Sequence, residues 1–480
     1  MPFDSTEALY TDKDPAYRAT PLTSGIPPPS LSVLPRQIRN ARGDGNYSGS
    51  QKQFRKQQPY PQTTPQQQMR RHDGHRTGDR DGVASRGVVD LNGGMLFMLA
   101  NTRRPELAKQ LATPDWSRMM SERDDVRGRR PDARLCDLAL LQEIHKRQEA
   151  LAGTPPDHHV ATASSTTDQY AAVTLKCALG RQATLLGHLD FLLQPVREYL
   201  RPGKTLHYVD LGSEQCGFSH YIRWRLSQQA GAVQARGWYF GPPSSAVEPV
   251  APTDGLSVVE SAEGVLDPAA IGKFVAQVQE ACADGVELVV AAAGNTEPGA
   301  LDTSTEQQHY AYLIAQAAIA LRLLRRGGTF VFRALETVTP LSAELLFLVH
   351  ACFERVAIVR SLASLPSSPE RFVVCNHLTA DPRWVASHLL SALAKMHAGQ
   401  LKPSHLVSWT RVSAERQFID PLRQSNLAIA QAQYQALGAA ASLAKQPQSP
   451  PGQFTRQQTE VANACLRHWG LPASTSQAGT

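Results

Sequence analysis

The sequence predicts an α/β protein built on a doubly wound sheet with helices on both faces, and three observations predict it. From Thr205 to Leu378, short apolar runs alternate with longer segments whose apolar residues recur at helical spacing. The stretch "HYVDLGSEQCGFSHYIRW" opens this alternation with an apolar strand, a turn of small residues and a helix start. Its last two strand-like runs are joined only by "SLPSSPE", which predicts an antiparallel pair at the sheet edge.

Residues 1–88 are rich in Pro, Gln, Gly and Arg and lack apolar periodicity, so they are expected to be disordered. Between Leu31 and Arg86 eleven Lys or Arg stand against four Asp, which exceeds the +6 of the whole 480-residue chain. Basic residues interleaved with Tyr47, Phe54 and Tyr60 suit loose RNA contact; a solubilising tail is the alternative. Residues 89–165 are expected to form a helical extension, with Leu135, Leu138, Leu141 and Ile144 on one apolar face.

Residues 166–380 carry the alternation. A helix in "YAAVTLKCALGRQATLLGHLDFLLQPVREYL" precedes the strand "TLHYVDLG". There follow the helix "GFSHYIRWRLSQQAG", strand "ARGWYFG", helix "PAAIGKFVAQVQEACA" and strand "VELVVAAAG". The helix "QQHYAYLIAQAAIALRLLRRGG", strand "TFVFRAL", helix "PLSAELLFLVHACF" and strands "RVAIVRSLA" and "RFVVCNHL" end the domain. Residues 381–447 read as a helical C-terminal extension and residues 448–480 as a flexible tail.

A content of 42% hydrophobic and 19% charged residues supplies core for one large domain. No apolar run approaches the roughly 18–20 residues of a membrane helix, and the start "MPFDSTEALYTDKD" is unlike a secretory signal, so no membrane partner is expected. Seven scattered cysteines with no C-x-x-C pair support neither a zinc site nor a disulfide framework.

"VDLGS", "GFSHYI" and above all "RGGTFVFRALETVTPLSAELLFLVHACFERVAIVRSLASLPSSPERFVVCNHL" resemble the FtsJ-like (RrmJ-type) 2′-O-methyltransferases, in particular the eukaryotic enzymes that methylate the ribose of capped mRNA. "LGRQATLLGHLDFLL", "RLCDLALLQEIHKRQEAL" and "QFIDPLRQSNLAIAQAQYQAL" extend the resemblance over Arg134 to Lys445. The resemblance implies a Rossmann-like fold, S-adenosylmethionine as cofactor without a metal, RNA such as capped mRNA as partner, and residence in the nucleus, with the cytoplasm as the other compartment.

It also implies a Lys-Asp-Lys-Glu tetrad, in which a lysine takes the proton of the ribose hydroxyl. Here Leu185 and Ala292 stand at the first lysine and the aspartate, Arg333 at the second lysine, and Glu370 at the glutamate. Arginine does not deprotonate in proteins and so cannot be that base. Glu370 and Arg333 are the remnants, read either as catalytic or as an ion pair, with phosphate contact a further use for Arg333.

In the cofactor turn the family's Pro-Gly-Gly-Phe-Ser becomes Gln215, Cys216, Gly217, Phe218 and Ser219, and the Gly-Asp pair near the adenine becomes Gly264 and Val265. Asp210, Gly212, Ser213, Gly217 and Phe218 are the positions left to hold a cofactor. The reading is of a pseudoenzyme acting as an RNA-binding or scaffold subunit beside a protein partner such as an active RNA-modifying enzyme. The alternative is an active methyltransferase whose base is His188 or His220.

Overall fold

The computed structural model describes residues 94–99, 130–152, 168–229, 233–243, 255–294, 306–379, 381–399, 405–443 and 454–474. The tail of residues 1–88 expected to be disordered lies outside them. Strand β1 (Met95–Leu99) and helix α1 (Leu138–Ala152) precede the single turn α2 (Val173–Lys176) and helix α3 (Gly180–Leu193). The alternation then runs β2 (Thr205–Leu211), α4 (Gly217–Ser227), β3 (Gln234–Gly241), β4 (Leu256–Glu260), α5 (Pro268–Ala281), β5 (Val286–Ala291), α6 (Glu306–Leu323), β6 (Leu324–Ala334), α7 (Pro340–Cys352), β7 (Phe353–Arg360) and β8 (Arg371–Leu378). Helices α8 (Arg383–His397), α9 (Trp409–Ala414), α10 (Arg416–Leu443) and α11 (Arg456–Trp469) follow.

The strands form one sheet in the order β1-β7-β8-β6-β5-β2-β3-β4. Pairing is parallel from β6 through β5, β2 and β3 to β4, whereas β8 runs antiparallel to both β6 and β7. The chain leaves β2 toward β3 and β4, then returns to the other side of β2 as β5. That reversal puts the topological switch point at the carboxyl ends of β2 and β5, where open α/β sheets hold their ligands.

Local chemistry starts the helices where the pattern requires them. Asp267 accepts a hydrogen bond from the Ala269 amide with Pro268 in the first turn of α5, and Thr339 with Pro340 does the same for α7. One core layer lies under α5, α6, α7 and α8, with Phe240 stacked on Phe274 at 4.6 Å. The other lies under α3, α4 and α11 and includes Leu185, Phe218, Tyr221 and Trp469.

Several sequence expectations are corrected. Met95–Leu99, inside the segment read as helical, is the edge strand β1, because its backbone pairs antiparallel with β7 and five residues are too few for periodicity to declare a helix. The edge is therefore β1, and β8 sits inside the sheet. "LSVVE", not assigned an element, is the opposite edge strand β4, and β6 begins at Leu324, ahead of the Gly327–Gly328 pair expected to close the helix before it.

Part of the stretch read as a flexible tail, residues 448–480, is the helix α11. Thr455 and Gln458 form a reciprocal capping box, and Val461, Ala462, Cys465, Leu466 and Trp469 are buried. Trp469 stacks on His188 of α3 at 4.1 Å, and its carbonyl accepts a bond from Arg197. Removing a buried ring of this size costs roughly 3–5 kcal/mol. Trp469→Ala should therefore lower the urea midpoint of the whole α/β domain, and an unchanged midpoint would show that α11 is not part of its core.

Candidate functional site

The turn after β2 is organised by one carboxylate. Asp210 is fully buried; its Oδ1 accepts from the Ser213 amide at 3.2 Å, and its Oδ2 from the Ser213 hydroxyl at 2.7 Å, the Ser219 amide at 3.0 Å and the Ser219 hydroxyl at 2.8 Å. Burial pushes its pKa up while these bonds pull it down, and burial wins. The Ser213 hydroxyl in turn accepts from the Phe218 amide at 3.2 Å. Asp210 and Ser213 thus direct their hydrogen bonds into the turn itself.

The turn's backbone departs from a glycine loop. Gln215 and Cys216 have φ of 51° and 54°, in the left-handed region that costs an L-residue roughly 1–2 kcal/mol. Proline locks φ near −65°, so the path at Gln215 is one that the proline of the resembling loops excludes. The Cys216 side chain is fully buried in the apolar cluster that also includes Phe218, Tyr208 and Tyr239.

Close packing accounts for the two glycines. A Cβ at Gly217 would come within 2.6 Å of Cβ of Gln182, and one at Gly212 (φ 66°) within 2.7 Å of Cβ of Ala293. Beyond the strand ends the Ala292 amide still donates to the Leu211 carbonyl at 3.0 Å. Phe218 is buried edge-on to Phe372.

Of the positions that the resemblance aligns with the tetrad, Ala292, Arg333 and Glu370 meet near the ends of β5, β6 and β8, and Leu185 stands on α3. Leu185 and Ala292 belong to one apolar cluster and are buried. Arg333 is buried too; its Nη2 donates to the carbonyls of Ala292 at 2.9 Å and Gly294 at 2.8 Å, and its Nη1 lies 4.0 Å from Glu370. Glu370 is only 3% exposed. It accepts from Arg181 Nη2 at 2.9 and 3.1 Å and from the Ser364 hydroxyl at 2.9 Å.

Arg181 was not assigned a role from sequence, although "LGRQATLL" contains it. Four residues ahead of Leu185, it lies on the same face of α3. The signal was the Arg itself, which matches the Asn-Arg-Ala-Ala pattern. Burial raises the Glu370 pKa, yet the Arg181 and Arg333 charges and the Ser364 bond outweigh it and hold it below the ordinary glutamate range.

Residues 192–378 match the family model described as FtsJ-like methyltransferase. That part of the chain is thus similar to FtsJ-like methyltransferases. It is 23% identical over 372 residues to the cap-specific mRNA (nucleoside-2′-O-)-methyltransferase 1 of Drosophila melanogaster, covering 72% of this chain and 46% of that protein. It is 25% identical over 320 residues to the protein of the same name from Homo sapiens, covering 61% and 37%. The chain thus spans less than half the length of these relatives. A ribosomal RNA methyltransferase structure from Plasmodium falciparum aligns with a TM-score of 0.29 at 12% identity, covering 42% of this chain and 98% of that one.

Beside the tetrad positions lies a cavity of about 360 Å³ between the start of α3 and the Glu214–Gly217 turn. Arg181 and Ser364, the two hydrogen-bond donors to Glu370, both line it. Among the described residues no cluster of three His, Cys, Asp or Glu side chains could hold a metal, and no helix is long and apolar enough to cross a membrane.

Removing one partner of a buried ion pair costs roughly 3–5 kcal/mol. Glu370→Gln should lose stability of that order at neutral pH. Because the folded pKa of Glu370 is depressed, its contribution is present above the ordinary glutamate range and lost as pH falls through the folded value. Urea titrations of the two proteins should converge in acid, and a gap that persists there would deny the pair its electrostatic role.

Proposed function

We propose that this protein is a catalytically inactive member of the cap-specific mRNA 2′-O-methyltransferase group, acting in the nucleus as an RNA-binding or scaffold subunit of RNA processing. The observation that carries the reading is the position of Arg333. Its fork is bonded to the Ala292 and Gly294 carbonyls, where a hydroxyl-activating site needs a lysine able to lose its proton and a carboxylate to orient it. Leucine at 185 and alanine at 292 supply neither, and both are absorbed into the core.

The walls of the switch-point crevice do not fit S-adenosylmethionine. Asp210 and Ser213 direct their hydrogen bonds into the turn, Gly212 packs on Ala293, and the acid expected near the adenine is the buried Val265. Direct calorimetric titration should give no heat of cofactor binding. Labelled S-adenosylmethionine and capped RNA should yield no methyl transfer above background; transfer that disappears in Glu370→Ala would sink the reading.

A second reading keeps the chemistry with a new base, and one observation favours it. His220 lines the cavity beside Arg181, and desolvation, then Arg223, lower its pKa, so it is neutral at pH 7. His188 is a poorer candidate, being buried under Trp469 with Nδ1 bonded to Ser361 at 2.8 Å. Methyl transfer abolished by His220→Ala would decide for this second reading.

RNA contact is assigned to the basic segment Leu31–Arg86. Each phosphate neutralised on a single strand contributes a slope of about −0.7 in log affinity against log salt. Deleting residues up to Arg86 should weaken RNA binding and flatten that slope; unchanged values at two salt concentrations would move the contact to the folded domain.

A further inference from the structure

We propose that the cavity between α3 and α4 is a docking pocket for an arginine side chain of a protein partner. The inference rests on the reading that the domain binds rather than methylates, and it specifies what such a scaffold would hold. At about 360 Å³ the cavity sits at the lower end of ligand pockets, which run from roughly 300 to 1,000 Å³. That is room for one long side chain.

Its free hydrogen-bonding capacity is acceptor-rich. Gln182 is 5% exposed, yet its Oε1 has no hydrogen-bond partner among the described residues. Asp168 uses one carboxylate oxygen for the Tyr170 amide, and Glu214 stands exposed on the rim. Among the described lining residues the one permanent cation is Arg181, which is ion-paired to Glu370. Burial pushes the Asp168 carboxyl up to about 6, a penalty that a bound cation would relieve.

Two aromatic side chains, Tyr170 and Phe454, complete the chemistry. Guanidinium offers five N–H donors and no acceptor, and its planar face lies well against an aromatic ring. Ammonium lacks the plane, and a phosphate would meet the Asp168 and Glu214 carboxylates of the lining. The lining therefore favours a basic protein segment over an RNA backbone.

The test is a calorimetric titration of the full chain with a five-residue peptide bearing one central arginine, and with the same peptide bearing citrulline, which keeps the shape and removes the charge. The arginine peptide should bind, the citrulline peptide about tenfold or more weaker, and Glu214→Lys should cost the arginine peptide a similar factor, about 1.4 kcal/mol. Glu214 is exposed and outside the core, so the variant should unfold at the same temperature as the wild type. No binding of the arginine peptide, equal binding of both peptides, or insensitivity to Glu214→Lys would overturn the proposal. So would binding of adenosine or guanosine monophosphate that Glu214→Lys strengthens, which would make the pocket an RNA site. Methyl transfer measured in parallel separates the two readings: transfer with intact arginine binding sinks inactivity alone, and lost arginine binding without transfer sinks the pocket alone.

Discussion

The buried carboxylate of Asp210 is the interaction on which the crossover from β2 to α4 depends. A carboxylate withdrawn from water is expensive, and it persists only where donors replace the lost hydration. Four donors from Ser213 and Ser219 do so here, each hydrogen bond to a charged group being worth roughly 1.5–3 kcal/mol. They fix the entry of α4, which in turn sets Phe218 against Phe372 and Gly217 against Gln182. The fold therefore has its own reason to keep Asp210, Ser213 and Ser219, independent of any cofactor. Residues that look like the survivors of a cofactor loop are also the ones that hold the sheet's first crossover.

The same distinction applies to the tetrad positions. Glu370 is held by Arg181 and Ser364 and approached by Arg333, so that two arginines share one carboxylate. An ion pair so deeply buried tolerates loss of one member badly. Glu370 can thus be retained by stability alone, while Leu185 and Ala292, packed in the apolar cluster, have become ordinary core. Arg333 bridges the β6 end to the loop after β5 through two carbonyls, tying together the walls of the switch point.

The alternation of strands and helices was legible because apolar runs and helical periods persist over many residues. What stayed hidden was short or depended on distant partners. Met95–Leu99 and Leu256–Glu260 are five-residue edge strands, defined by the neighbour they pair with rather than by their own pattern. Helix α11 was legible in principle: Thr455 and Gln458 spell a capping box and Val461 to Trp469 an apolar stripe, but a polar, Gln-rich approach masked them. At the site, Leu185, Ala292, Arg333 and Glu370 were singled out by the family resemblance alone. That Arg181 is the main partner of Glu370 required the fold, since 189 residues separate them.

The cavity adds a step that neither motif reading nor topology supplies. Its walls come from α3, the Glu214–Gly217 turn, the loop after β7, the segment around Asp168 and the residue Phe454 ahead of α11. The last two are linked directly, for the Gln458 amide donates to the Asp168 carbonyl at 2.9 Å. A core that had merely lost its chemistry would be expected to close over such a space, because cavities and unmet buried polar atoms both destabilise. Here that bond ties α11 to the wall at Asp168, and the buried Gln182 Oε1 has no hydrogen-bond partner among the described residues. That space lies beside the carboxylate that Arg181 and Arg333 share, which is where the proposed binding role would be exercised.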